Sequence, residues 1–202
     1  MTLAATRIGL FGGAFDPPHA AHRALIEAAL SQLRLDTLLV LPTGQAWHKA
    51  RTLSAAQHRV AMAELAFADL PRVQIDRRET MRDGPTYTVD TLRELHRERP
   101  GAEFFLILGQ DQAQALPQWH AWEAVVQLAI ICVALRPALP GSSARFDPPS
   151  GLEQRFTTLQ FGPMALSATA IRQQFAHAQR AVPLVCDGVA RYIVLHHLYQ
   201  NA

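Results

Sequence analysis

Ile8-Gly9-Leu10-Phe11-Gly12-Gly13-Ala14-Phe15-Asp16-Pro17-Pro18-His19-Ala20-Ala21-His22 is the stretch from which the chain can be read. Ile8–Phe11 is a short apolar run of the kind that forms a buried strand. Ala20–Leu33, rich in alanine and leucine, carries helical periodicity. Between them lie paired glycines, paired prolines and two histidines three residues apart. A strand that turns through glycine into a helix presents backbone N–H groups and the positive end of a helix dipole to an anion. Glycine lets a phosphate approach the backbone, and proline suits a helix start. Histidines at i and i+3 lie on one helical face and can point at one ligand. The stretch reads as a nucleotide-phosphate site, although by itself it also fits an ordinary tight turn.

Working outward, strands and helices alternate. Thr37–Leu41 is a second apolar run, stopped by Pro42-Thr43-Gly44. Ser54 reads as the N-cap of a helix with Ala61, Leu65 and Ala68 on its apolar face. Val73–Asp76 is a short strand. Tyr87–Glu98 is a helix with Val89, Leu92 and Leu95 on one side, ended by Pro100-Gly101. Phe104–Leu108 and Ile130–Leu135 are continuous apolar strands, and Thr157–Phe161 is a further candidate. Arg136–Phe156 is rich in proline, glycine and serine and reads as a loop. Helices follow at Ala168–Phe175 and Asp187–Leu198. Strands buried on both faces and separated by helices imply a mainly parallel sheet covered by helices. The expected fold is therefore α/β, a Rossmann-like open sheet with a helical C-terminal extension from about residue 163 to 202. Residues 1–202 are expected to form a single domain.

Composition narrows the partners. The chain has 202 residues, 49% of them hydrophobic and 18% charged, with a net charge of +2, enough apolar material for one sizeable core. So mild a charge suits anionic small molecules and argues against nucleic acid as the main partner. Cys132 and Cys186 lie in apolar surroundings and read as two buried thiols, with one disulfide as the alternative. Met1–Arg7 has no signal-peptide character, and no apolar run is long enough to span a bilayer. A cytoplasmic protein without a membrane partner is expected, and nothing in the sequence speaks to oligomeric state. Of nineteen basic residues, eighteen are arginine and one is lysine, Lys49, next to His48.

Open parallel sheets bind ligands at the carboxyl ends of their strands. Four polar clusters fall at such places: Gly12–His22, His48-Lys49, Gly109-Gln110-Asp111, and Ser167-Ala168-Thr169-Ala170-Ile171-Arg172. Each has a plainer reading. Ser167, Thr169 and Asp111 suit helix caps, Arg172 suits the surface, and Trp119 suits the core. The chain has neither G-x-G-x-x-G nor G-x-x-x-x-G-K-[ST] in the opening stretch. His19 and His22 lack a third ligand nearby, so no protein metal site is expected.

Together the clusters resemble a family. Gly12-Gly13-x-Phe15-Asp16-Pro17-x-His19-x-x-His22 and Ser167-x-Thr169-x-Ile171-Arg172 are similar to the two signatures of the HxGH nucleotidyltransferases. His48-Lys49, Thr86-Tyr87-Thr88-x-Asp90-Thr91-Leu92, Gly109-x-Asp111, Leu116-x-x-Trp119 and Arg136-Pro137 resemble the bacterial nicotinate-nucleotide adenylyltransferases within that group. The resemblance runs from Ile8 nearly to the C-terminus, through Val189-x-x-Tyr192-Ile193 and Leu198-Tyr199. Three positions depart from the pattern: Ala21 stands where the family has glycine, Ala168 where it has serine, and Trp47 where proline precedes the His-Lys pair.

The resemblance implies transfer of AMP from ATP, with Mg2+, to nicotinate mononucleotide. The rival acceptors are nicotinamide mononucleotide and phosphopantetheine, and the rival class is a non-catalytic nucleotide sensor. Because the nucleophile is already an anionic phosphate oxygen, catalysis rests on positioning and charge stabilisation. The implied ATP site comprises Gly12, Gly13, Phe15, His19, His22, Asp111, Ser167, Thr169 and Arg172. His19 and His22 would donate to the phosphates, more strongly if protonated. Lys49 would bridge the two reacting phosphates, and Arg172 would hold the departing pyrophosphate. His19, His22, Lys49 and Arg172 are thus the implied catalytic set. Tyr87 and Thr88 would hold the pyridine carboxylate at a helix N-terminus and Trp119 would stack on the ring, with Lys49 and Arg136 completing the acceptor site.

Overall fold

The computed structural model describes residues 5–44, 53–135, 146–160, 162, 167–177 and 184–200. Six strands form one sheet: β1 (Arg7–Gly13), β2 (Thr37–Pro42), β3 (Val73–Ile75), β4 (Glu103–Gly109), β5 (Ile130–Ala134) and β6 (Phe156–Leu159). Their order is β3-β2-β1-β4-β5-β6, and every neighbouring pair is parallel. The helices are α1 (Ala20–Gln32), α2 (Ala56–Phe67), α3 (Thr88–Glu98), α4 (Gln110–Ala115), α5 (Trp122–Leu128), α6 (Ala168–Ala176) and α7 (Asp187–Leu195). The expected α/β sheet with helices on both faces is what the chain forms.

The continuous apolar strands are explained by which face each side chain takes. Phe104, Leu106 and Leu108 of β4, with Ile8 and Leu10 of β1, face Val89, Leu92 and Leu95 of α3 and Val125 of α5. Phe105 and Ile107, with Leu38 and Val40 of β2, face Leu25 and Ile26 of α1 and Phe67 of α2. Gly9 keeps this second face tight, since a Cβ there would lie 2.5 Å from Cδ1 of Leu35. A third cluster joins Met62 of α2 to Ile171 and Phe175 of α6 and Val189 and Ile193 of α7, and so docks the C-terminal helices on α2.

After β1 the chain moves outward through β2 and β3, then returns to place β4 on the other side of β1. The carboxyl ends of β1 and β4 therefore flank a crevice at the point where strand order reverses, the place such sheets use for ligands. Gly12-Gly13 ends β1 and Gly109 ends β4.

Two local expectations are corrected. Ser54 does not cap α2; the residue at that position is Ala55. The Ser54 backbone instead bonds Asp16 and Arg59, a tertiary use that outcompetes the local one. Cys132 is buried, but Cys186 is exposed ahead of α7, and both are free thiols. Two short helices, α4 and α5, occupy the stretch between β4 and β5. Among the described residues no helix is long and apolar enough to cross a membrane.

Candidate active site

The first wall of the crevice is the turn after β1. The carbonyl of Gly13 accepts from the Thr43 N–H at 2.9 Å, tying the turn to the end of β2. Phe15 takes a φ of 48°, a left-handed backbone that costs energy in a bulky residue. Its ring is 1% exposed and packs against Phe11, Phe67 and His22, with centroids 5.5, 6.2 and 5.1 Å away. The structure thus places the Phe15 side chain beneath the site rather than on its surface.

Buried polar groups hold the next residues. Asp16 is 2% exposed. Its Oδ1 accepts from the Tyr199 hydroxyl at 2.7 Å, its Oδ2 from the Ser54 N–H at 3.2 Å, and its carbonyl from Nη1 of Arg172 at 2.9 Å. Arg59, equally buried, donates from Nη1 to the Ala14 carbonyl at 3.0 Å and from Nε to the Ser54 carbonyl at 2.9 Å. Side chains from α2, α6 and the C-terminal turn therefore fix the backbone on which the histidines stand.

His19 is the N-cap of α1, with φ −148° and ψ 174°, and His22 is the third helical residue. The rings stack with centroids 3.8 Å apart at 25°. Nδ1 of His22 accepts from the His19 N–H at 3.2 Å, so the proton of a neutral His22 ring sits on Nε2. Nδ1 of His19 is buried without a hydrogen-bond partner among the described residues. Burial pushes the His19 imidazole down to about 4, so it is neutral at pH 7. The strengthening that protonation would give is therefore not supplied by the buried His19 ring itself at pH 7. Ala21 sits inside the first turn of α1, so the residue that replaces the family's glycine takes an ordinary helical conformation.

The second signature arrives from α6. Ser167 is the N-cap, and its Oγ accepts from the Ala170 N–H at 3.1 Å. Arg172 is 8% exposed and donates from Nη2 to Thr169 Oγ1 at 2.9 Å as well as to Asp16. Rather than lying on the surface, Arg172 ties the two signatures together. Asp111 is exposed in the first turn of α4, at the carboxyl end of β4. His48, Lys49 and Arg136 lie outside the described residues, as does Trp47.

The same crevice opens into a cleft of about 270 Å³ whose lining includes Gly12, Gly13, Tyr87, Thr88, Trp119 and Glu79. Tyr87 is the N-cap of α3 and Thr88 its first residue, so the helix N-terminus faces the cleft. The Tyr87 and His120 rings pack with centroids 4.4 Å apart. Glu79 stands on a 3-10 turn, Arg78–Met81, and is 8% exposed. Its Oε1 accepts from the Thr91 hydroxyl at 2.9 Å, and Thr91 Oγ1 accepts in turn from Nη1 of Arg82 at 2.9 Å. Burial pushes the Glu79 carboxyl up to about 7 despite that hydrogen bond and the nearby Arg82.

With this geometry in place, comparison with known proteins is direct. The model of the cytidylyltransferase-like family matches residues 10–174. A protein of Albidiferax ferrireducens named "Probable nicotinate-nucleotide adenylyltransferase" is 59% identical over 97% of this chain and 99% of its own length. The chain belongs to the nicotinate-nucleotide adenylyltransferases of the cytidylyltransferase-like family. A Methylibium petroleiphilum relative of the same name is 44% identical over 96% of this chain and 92% of its own. Among solved structures, Plasmodium falciparum nicotinic acid mononucleotide adenylyltransferase complexed with NaAD superposes with a TM-score of 0.72 at 17% identity, covering 98% of each chain. At that identity the likeness speaks for the fold.

For an adenylyltransferase site, the structure brings together Gly12, Gly13, Tyr87, Thr88 and Trp119 around one cleft, with the histidine pair following the adjoining turn and Arg172 of α6 bonded to it. Arg59, Glu79 and His120 went unnoticed in the sequence. Thr91 belongs to the quoted Thr-Tyr-Thr-x-Asp-Thr run, and the arginine-rich setting of Glu79 gave no sign that its carboxyl is buried.

Proposed function

We propose that the protein transfers the adenylyl group of ATP to nicotinate mononucleotide. A 5′-phosphate oxygen of the mononucleotide bonds to the α-phosphorus of ATP, the bond from that phosphorus to the α,β-bridging oxygen breaks, and pyrophosphate leaves. The product is nicotinate adenine dinucleotide. The observation that carries this reading is the shared lining of the cleft, where the Gly12-Gly13 turn meets the N-terminus of α3 and Trp119. One pocket can hold a phosphate donor beside an aromatic acid. The 59% identical relative supports the same reaction.

The buried, unpartnered Nδ1 of His19 supports a role for the histidine pair on the ATP phosphates, since a buried polar atom without a partner is costly until a ligand supplies one. Imidazole N–H groups of the pair, together with Lys49, would meet the charge that builds on the α-phosphate. Arg172 and the N–H groups of Ser167–Thr169 would steady the departing pyrophosphate, and Asp111 would bond a ribose hydroxyl. The first N–H groups of α3, at Tyr87 and Thr88, would receive the pyridine carboxylate, with Trp119 against the ring and Arg136 nearby.

Nucleotidyl transfer from a triphosphate calls for a divalent cation, and ATP is taken to enter as its Mg2+ complex. The ion would be held chiefly by the ATP phosphates and water. The packing of α6 and α7 on α2 supports one domain spanning residues 1–202. A pyrophosphate-release assay with ATP, Mg2+ and nicotinate mononucleotide, nicotinamide mononucleotide or phosphopantetheine tests the proposal. Release is expected to be fastest with the nicotinate nucleotide. Nucleotide binding without release for any acceptor would instead identify a sensor.

A further inference from the structure

The cleft contains a carboxyl group to which adenylyl transfer assigns no task. Glu79 is buried, lines the cleft, and presses its Oε1 against Thr91 in the first turn of α3. Its Oε2 makes no hydrogen bond among the described residues. The helix N-terminus proposed to receive an anionic carboxylate thus already has a second carboxyl group beside it. Two carboxylates in one site repel, and one of them takes a proton.

The charged neighbours relieve this only in part, less than burial opposes it. Arg82 reaches Thr91 and is bound through Nη2 to Glu94 at 2.6 Å. Arg78 is taken up by Asp76 at 2.8 Å and by Glu98 at 2.9 Å. On α3, Asp90 pairs with Arg93 at 3.3 Å. Tyr87 and His120 share the cleft lining. Among the described residues no cation bonds Glu79 directly, and its burial keeps the acid form present up to about pH 7.

We propose that Glu79 is a specificity-determining residue that reads the pyridine substituent of the acceptor: as the acid it donates from Oε2 to a nicotinate carboxylate, and as the carboxylate it accepts from a nicotinamide amide. The inference rests on the reading of the cleft as a mononucleotide site. It follows from donor chemistry, because a carboxylate offers only acceptors whereas a primary amide offers N–H donors. Binding of the acid nucleotide above pH 7 then draws one proton from solvent onto Glu79. The amide nucleotide draws none.

Calorimetric titration at pH 8, repeated in buffers of different ionisation enthalpy, counts that proton. The wild-type protein is expected to take up close to one proton with nicotinate mononucleotide and none with nicotinamide mononucleotide. Its affinity for the acid is expected to fall about fivefold between pH 7 and pH 8, as the free carboxyl ionises. Glu79→Gln, which keeps a donor and loses the charge, is expected to bind the acid without proton uptake and without that decline. Zero uptake by the wild type overturns the inference whatever the variant does, and so does equal uptake by both proteins. If the wild type binds neither nucleotide, the mononucleotide reading falls and this inference with it; binding with the wrong proton count removes the inference alone.

Discussion

On the wall proposed to hold phosphate, the histidines follow a turn held at its backbone by Arg59 and Arg172 and at the Asp16 carboxylate by Tyr199, all from distant parts of the chain. On the wall proposed for the acceptor, the lining is held by side chains bonded within one neighbourhood, Glu79 to Thr91 to Arg82 to Glu94. On each wall burial disfavours the charged form of a titratable group, by the same cause and with opposite sign. Burial lowers a base, His19, to about 4 and raises an acid, Glu79, to about 7. A site proposed for polyanions thus need not carry fixed charges: one wall presents an unpartnered ring nitrogen, and the other a carboxyl whose burial favours its acid form.

The comparison can be broken most severely at the histidine. His19→Ala, and likewise Lys49→Ala, is expected to lower kcat by about 10²–10³, the usual loss for one charge-stabilising donor. Steady-state pyrophosphate release measures it, and wild-type turnover in a folded His19→Ala protein would remove the phosphate wall from the mechanism.

Stability against pH separates the walls next. The folded pKa of Glu79 lies above its unfolded value of 4.5, so the folded state binds more protons and stability is lost as pH rises from 4.5 through about 7. Glu79→Gln escapes that loss, and from pH 5 to pH 8 it should gain about 3 kcal/mol relative to wild type, at 1.36 kcal/mol per pKa unit. The folded pKa of His19 lies below its unfolded 6.5, so its contribution runs the other way, and stability is lost as pH falls from 6.5 towards 4. His19→Ala should therefore compare better with wild type at pH 5 than at pH 7. Urea midpoints at three pH values test both signs; parallel profiles for all three proteins would refute the burial argument.

Smaller effects probe the grip on the turn. Arg172→Ala leaves the buried Asp16 carbonyl without that partner and should cost about 1–3 kcal/mol. Tyr199→Phe deletes only the hydroxyl on Asp16 and should cost about 1 kcal/mol. Chemical denaturation reads both, and an unchanged midpoint for Arg172→Ala would mean that the tie between the signatures carries no weight.

Much of the architecture could be read from residue order, for a physical reason. A strand buried on both faces must be apolar at every position, so Ile8–Phe11 and Phe104–Leu108 stand out without any partner in view. The long helices announce themselves by periodicity, as Val89, Leu92 and Leu95 do in α3. Helices α4 and α5, of six and seven residues, are too short to establish a period, and a proline interrupts the segment between them. Ser54 has the chemistry of a cap, but the nearby Asp16 and Arg59 claimed its backbone, a competition visible only once α2 lies against the turn.

The site divides the same way. Gly12–His22 by itself determined that a strand feeds a glycine turn and a helix start bearing two histidines, because those are relations between neighbours along the chain. Only the tertiary structure decided that Phe15 lies beneath the site, that Arg172 joins the two signatures, and that burial holds the His19 ring neutral at pH 7. Glu79 is the clearest case. Nothing about a glutamate between arginine and threonine separates it from its less buried neighbours, and its raised pKa depends on the water it has lost. Desolvation is set by what packs around a group, and packing is written across the whole chain rather than beside the residue.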